Sequence, residues 1–255
     1  MSPLHDEWTK CLLALQFLTR LPVPGSLNYT EQAFADTPRY YPLVGAFIGL
    51  LCALVYLGAS QMFDQALAVV SMAAFGILLT GAFHEDGLAD TFDGIGGGLT
   101  REQCLEIMKD SRLGTYGTLA IVLMLLGKIT ALISLPTVVV FTALVAGHGL
   151  SRLSSVLVMK SSDYMRDHGT GKPVSSGINR TSLLIAIATG LLLLITVALV
   201  VSLPAAIYSI TGLLIGHALM RRYYTPTLRG YTGDTLGAVQ QASELGFYLG
   251  LAAWV

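Results

Sequence analysis

Several stretches of about twenty residues run without a single Lys, Arg, Asp or Glu, and this constrains the fold more than any other feature; 41–59 and 182–201 are the plainest. At 1.5 Å per residue in a helix, each is long enough to cross a hydrocarbon core roughly 30 Å thick. In lipid every backbone N–H and C=O must find its partner inside the protein, so runs of this kind fold as helices. Only 12% of the 255 residues are charged, against about 25% in an average soluble domain. A soluble chain of this length has too little interior to hide so many apolar helices.

Hydropathy and the Gly and Pro punctuation together predict an all-α, polytopic transmembrane helix bundle with about seven spans, at 41–59, 65–83, 114–135, 137–158, 182–203, 205–221 and 236–255. The segment 8–21 is shorter and carries Lys10 and Gln16, so it is expected to lie in the interface or to enter the bilayer only partly. Met1 to Thr9 contains Asp6 and Glu7 and lacks a basic cluster, so no cleavable signal is expected. Neither repeats nor long linkers divide the chain, and residues 1–255 are expected to form a single integral membrane catalytic domain. Cys11, Cys52 and Cys104 are isolated and expected to be free thiols. The net charge of −1 excludes a nucleic-acid partner bound by bulk positive charge.

Alternating through the seven spans puts 28–40, 100–113, 160–181 and 222–234 on one side. Of the 15 Lys and Arg residues, Lys128 is taken as the only one well inside a span, and the opposite turns near 61–65, 135–137 and 202–205 have none. By the positive-inside rule, the side with the long polar loops is cytoplasmic. Of the 16 acidic residues, only Asp64 falls in an opposite turn and only Glu244 inside a late span; Lys128 is expected either to snorkel or to pair with Glu244. His148 and His217 also fall within spans, and hydrogen-bonded packing is the favoured role for both.

The acids concentrate in His84-Glu85-Asp86-Gly87-Leu88-Ala89-Asp90-Thr91-Phe92-Asp93-Gly94. Asp86, Asp90 and Asp93 are spaced i, i+4, i+7 and share a helix face, with Leu88, Ala89 and Phe92 available to hold the other face against the bundle. Like charges so close repel unless a cation sits among them, and hard oxygen ligands suit magnesium, manganese or calcium. Gly87 and Gly94 leave room for a bulky phosphorylated ligand to approach the backbone. The competing reading is a solvated acidic turn whose glycines end a helix. Beyond Gly96-Gly97-Gly98, Thr100 and Gln103 signal a capping box that opens an amphipathic helix on the cytoplasmic side. Its end offers Asp110 between Lys109 and Arg112; taken alone, those two cations read as interfacial anchors. The stretch 163–180, with His168, Lys172 and Arg180, could cover a ligand or be an ordinary loop. In Thr232-Gly233-Asp234-Thr235 a glycine-flanked acid opens the last span, and the plain alternative is a helix cap at Asp234 or Thr235.

Together, Phe83-His84-x-Asp86-Gly87-Leu88-Ala89-Asp90-Thr91-x-Asp93-Gly94, Glu106-Ile107-Met108-Lys109-Asp110-Ser111-Arg112-Leu113-Gly114-Thr115, Thr232-Gly233-Asp234-Thr235-Leu236-Gly237-Ala238 and the early Phe17-x-Thr19-Arg20-Leu21-Pro22-Val23-Pro24 resemble the cobalamin synthase family. The likeness runs over nearly the whole chain in the right order. It implies a multi-pass enzyme of the bacterial inner membrane, with its site facing the cytoplasm, that joins adenosylcobinamide-GDP to alpha-ribazole or its 5′-phosphate and releases GMP. It also implies Mg2+ on Asp86, Asp90 and Asp93 with Asp110 completing the shell, and Asp86 helping to take the proton of the ribose hydroxyl. On the same resemblance, Lys109 and Arg112 hold the diphosphate. Asp234 with Thr232 and Thr235, together with Arg180, Gly87 and Gly94, completes the substrate-binding set. Glu85 stays outside that site. The expected partners are the two substrates and the lipid bilayer, with a homo-oligomer and contacts to other late cobalamin-biosynthesis enzymes left open. The logic is similar to that of CDP-alcohol phosphotransferases, whose pattern has an Ala-Arg pair where this chain has Ile95-Gly96. A cation-coupled transporter is the rival class; it predicts acids near the bilayer midplane and two matching halves, whereas here the acids gather at one interface and no halves match.

Overall fold

The apolar run expected at 41–59 folds as a helix with those same bounds, and most other boundaries fall where a polar residue is available to cap an end. The computed structural model describes residues 3–25, 27, 29–165 and 178–255; most of the 163–180 stretch, with His168 and Lys172, lies outside them. The helices are α1 (Pro3–Leu18), α2 (Glu31–Ala35), α3 (Tyr41–Ala59), α4 (Gln65–Thr80), α5 (Phe83–Gly97), α6 (Arg101–Ile107), α7 (Thr115–Ile133), α8 (Thr137–Ser161), α9 (Arg180–Val200), α10 (Leu203–Leu228) and α11 (Gly233–Trp254), with a 3-10 turn at Thr37–Tyr40. Among the described residues the only strand-like feature is an isolated bridge between Tyr164 and Tyr231.

Side chains at the helix starts take up amides that the helices leave unpaired. Asp64 accepts from Leu67 N at α4, Asn179 from Ser182 N at α9, and Ser202 from Ala205 N at α10. Asp64, the one acid expected in an opposite-side turn, therefore has a local structural task. The capping box expected at Thr100 and Gln103 is present at α6.

Among the described residues five helices, counting α3 together with the 3-10 turn before it, are long and apolar enough to cross a membrane. The expected span 65–83 is broken. α4 ends at Gly81 (φ 65°), Ala82 follows in the same left-handed region, and α5 leaves at 86° to α4. The pair counts as a sixth span only if both arms are taken together. At 16 residues, about 24 Å, α4 alone is short for the core. The last expected span, α11, is 22 residues long but carries Gln240, Gln241, Ser243 and Glu244 along its buried middle. Most of its surface is covered by protein: α11 packs against α5, α7, α8 and α10. α1 turns Leu13, Ala14 and Leu18 into the bundle and leaves Trp8 exposed. Cys11, Cys52 and Cys104 are free thiols.

Candidate functional site

α5 divides its acids by partner. Asp86 is exposed and Asp90 half-buried, whereas Asp93 is 9% exposed. The Asp93 carboxylate accepts the N–H groups of Gly114 (2.8 Å, Oδ2) and Gly117 (2.8 Å, Oδ1), so it caps the start of α7 across the bundle. A residue expected to hold metal thus has both oxygens on backbone amides, where negative charge also complements the helix dipole.

Asp110 is likewise engaged with a neighbour. Arg112 donates to it from N (3.1 Å), Nε (3.0 Å) and Nη2 (2.5 Å). These hydrogen bonds from Arg112 hold the Asp110 carboxyl below the usual carboxylate range. The Arg112 side chain is 88% exposed, and an open pair of this kind contributes little stability. Lys109 and Asp110 border a shallow groove along α6 with Gly97, Gln103 and Glu106, and the acids of α5 are not part of it. Gly94 faces the same helix: a Cβ there would stand 3.0 Å from the Cys104 carbonyl, so its missing side chain makes room for α6. Arg180 is exposed at the first turn of α9 and does not line the cavity described next.

The structure does bring Asp86 to Asp234. Both line a cavity of about 190 Å³ together with Gly87, Gly233, His84, Arg152, Ser155 and aromatic rings that include Tyr41, Tyr164 and Tyr231. α5 and α11 meet there backbone to backbone. A Cβ on Gly87 would lie 2.8 Å from the Asp234 carbonyl, so only glycine permits the approach. Thr232 and Thr235 are fully buried and do not line this cavity. They form a buried capping box (Thr232 N to Thr235 Oγ1 2.9 Å, Thr235 N to Thr232 Oγ1 3.3 Å) that sets the first turn of α11 and so presents Asp234. The cap is Thr232, two residues before the acid named as the alternative.

Beneath this cavity is a smaller one of about 50 Å³, lined by Glu85, Lys128, His148, Gln240, Gln241 and Glu244; His84 and Arg152 border both. Lys128 Nζ donates to Glu244 Oε1 (2.8 Å) and Gln241 Oε1 (2.6 Å), the pairing anticipated for Lys128. His148 Nδ1 lies 3.4 Å from Glu244 Oε2. His217 Nδ1 bonds Ser154 Oγ at 2.6 Å, so both histidines sit in hydrogen-bonded packing. The reading that left Lys128 as the only cation well inside a span is corrected by Arg152, which lies in the middle of α8 and is 2% exposed. The signal was available: a charge inside an apolar span is costly enough to suggest a function by default.

Among the described residues no group of three or more Asp, Glu, His or Cys side chains is placed to hold a metal by itself. Magnesium, however, is usually held by one or two carboxylates, water and substrate phosphates. Asp86 and Asp234 on one cavity fit that kind of site and do not fit an all-protein cage.

The sequence profile described as cobalamin-5-phosphate synthase matches residues 10–252. A protein of Vibrio vulnificus (strain YJ016) named adenosylcobinamide-GDP ribazoletransferase is 43% identical over 246 residues, covering 95% of each chain. Proteins of the same name from Shewanella frigidimarina (strain NCIMB 400) and Leptothrix cholodnii (strain ATCC 51168 / LMG 8142 / SP-6) are each 42% identical, covering 94% and 100% of this chain and 93% and 99% of their own. No solved structure matches.

Proposed function

This chain belongs to the cobalamin-5-phosphate synthase family, and from that premise we propose that it is a transferase joining adenosylcobinamide-GDP to alpha-ribazole or alpha-ribazole 5′-phosphate. A ribose hydroxyl attacks the phosphorus that carries the corrinoid. The new P–O bond forms as the diphosphate P–O bond breaks, GMP departs with that bridging oxygen, and the hydroxyl proton is lost. The observation that carries this reading is the likeness, over nearly the full length of both chains, to proteins bearing that enzyme's name.

Asp86, exposed at the cavity, is the base for the hydroxyl proton, and Asp234 supports the reacting groups from the facing helix. Asp86 and Asp234, with Asp90 one turn further along α5, would hold magnesium together with substrate phosphates, and the ion would supply charge neutralisation on the leaving phosphate. Lys109 and Arg112 act at the headgroup level beside α6, as a landing site for an anionic substrate. On this reading the enzyme works in the bacterial inner membrane. The ends of α8 and α10 and the starts of α3 and α11 face the cytoplasm, where nucleotide substrates are found; the support is the distribution of Lys and Arg.

The test is purified protein in nanodiscs given adenosylcobinamide-GDP and alpha-ribazole 5′-phosphate, with GMP release measured at several magnesium concentrations. Release that rises with magnesium is expected. Absence of GMP with both acceptors would sink the activity, and full release in excess chelator would sink the metal.

A further inference from the structure

Arg152 is a buried cation without a counterion at bonding distance. Its Nη1 donates to the His148 carbonyl (2.9 Å) and lies 3.3 Å from His148 Nδ1, while its Nε has no partner. Among the described residues no carboxylate lies within 4.0 Å of the guanidinium; Glu244, the near candidate, is taken up by Lys128, Gln240 and Ser151. Burying a charge unpaired is among the most costly things a fold can do, and it persists where something compensates it. The side chain borders the larger cavity, which Asp86 and Asp234 line from α5 and α11. Counting back from Ser161, Arg152 sits roughly 14 Å below the end of α8, so an anion reaching it has entered the bundle.

We propose that Arg152 is a substrate-binding residue that takes a phosphate oxygen inside this cavity. The guanidinium presents a planar fork suited to phosphate and stays charged at any working pH, which the ammonium of a lysine, lowered by burial, does not guarantee. The two acids on the facing helices alone would repel a phosphate, whereas a cation on the third wall gives the cavity the polarity that a phosphorylated ligand requires. The aromatic rings Tyr41, Tyr164 and Tyr231 on the same cavity offer surface for a nucleoside base beside it. The proposal rests on the transferase reading, under which two phosphates are available: the 5′-phosphate of the acceptor and the diphosphate of the donor.

The experiment compares parent, Arg152→Gln and Arg152→Lys protein in nanodiscs. Steady-state kinetics are measured with alpha-ribazole and with alpha-ribazole 5′-phosphate, and calorimetric titration with inorganic pyrophosphate is done without divalent metal. Losing a charged hydrogen bond corresponds to a KM increase of roughly tenfold or more, with kcat changed less. If Arg152 binds the acceptor, Arg152→Gln raises KM for alpha-ribazole 5′-phosphate only. If it binds the donor, KM for adenosylcobinamide-GDP rises with either acceptor. Pyrophosphate affinity falls in both cases. KM values and pyrophosphate affinity all within twofold of the parent, in a variant that melts normally or with a lowered melting point, would make Arg152 a structural residue of the bundle and overturn the proposal. Should Arg152→Gln fail to fold, Arg152→Lys answers the same question through a smaller rise. Should the parent release no GMP, the transferase reading fails separately, and the pyrophosphate titration still decides whether Arg152 binds phosphate.

Discussion

Asp86 and Asp93 stand seven residues apart on α5 and differ in what their oxygens meet: an open cavity for the first, two amides at the start of α7 for the second. The same substitution should therefore act on different quantities. Asp86→Asn is expected to lower GMP release by roughly 100-fold or more, as for loss of a general base, with an unchanged melting temperature. Asp93→Asn keeps one acceptor oxygen but gives up a charge-assisted cap, and is expected to cost about 1–2 kcal/mol of stability and to lower the melting temperature, with a smaller effect on turnover. Melting curves and GMP assays on the two variants check the split; a stable, inactive Asp93→Asn would return that residue to the site. Lys128 and Glu244 illustrate the other fate of charges in a bundle, in which two opposite charges from different helices pair with each other.

At the scale of elements, α11 lines both cavities because it is largely covered by protein and can keep a polar middle, while its first turn meets α5 through Gly87. α1 is fastened differently, by charges at its exposed end. Glu7 Oε1 lies 3.0 Å from Arg39 Nη1 and 2.7 Å from Lys10 Nζ, and Glu7 Oε2 accepts from Tyr40 at 2.6 Å. Arg39 in turn donates to Ser182 on α9 at 3.0 Å, so α1 is tied through the 3-10 turn to a span. Partial burial raises the Glu7 carboxyl, but Lys10, Tyr40 and Arg39 outweigh it and hold it at about 2, against an ordinary 4.5. A carboxyl lowered on folding stabilises the docked form above its unfolded pKa, and that contribution disappears as pH falls through the folded value. Docking of α1 is therefore expected to weaken between about pH 4.5 and 2. Fluorescence of Trp8 on α1, measured in a protein with Trp254 replaced by Phe, reports it. Glu7→Gln should flatten this difference, and an unchanged acid transition in that variant would dismiss the role given to Glu7.

For the whole molecule the arrangement predicts one accessible face. In a chain with its three free thiols replaced by Ser, Ser161→Cys is expected to react with an impermeant maleimide only from the cytoplasm and Gln61→Cys only from the outside; the reverse pattern would invert the orientation. Much of this architecture was legible along the chain. Charge-free runs bound the spans, cap residues mark where helices start, and the Thr100–Gln103 box and the Lys128–Glu244 pair follow from spacing and from the cost of charge in lipid. These are local or compositional properties, carried by a window of residues and the solvent around it. The break at Gly81 and Ala82, the diversion of Asp93 to an α7 cap, the separation of Asp110 from α5 and the isolation of Arg152 were not legible in that way. Period and spacing put Asp86, Asp90 and Asp93 on one helix face, but which of them meets Asp234 depends on how α5 crosses α11. By itself the sequence determined a membrane bundle with an acidic segment following one apolar run, because hydrophobicity and helix period are read residue by residue. Only the tertiary structure decided which acids share a cavity and which cation faces it, because those contacts join helices far apart in the chain and are set by packing.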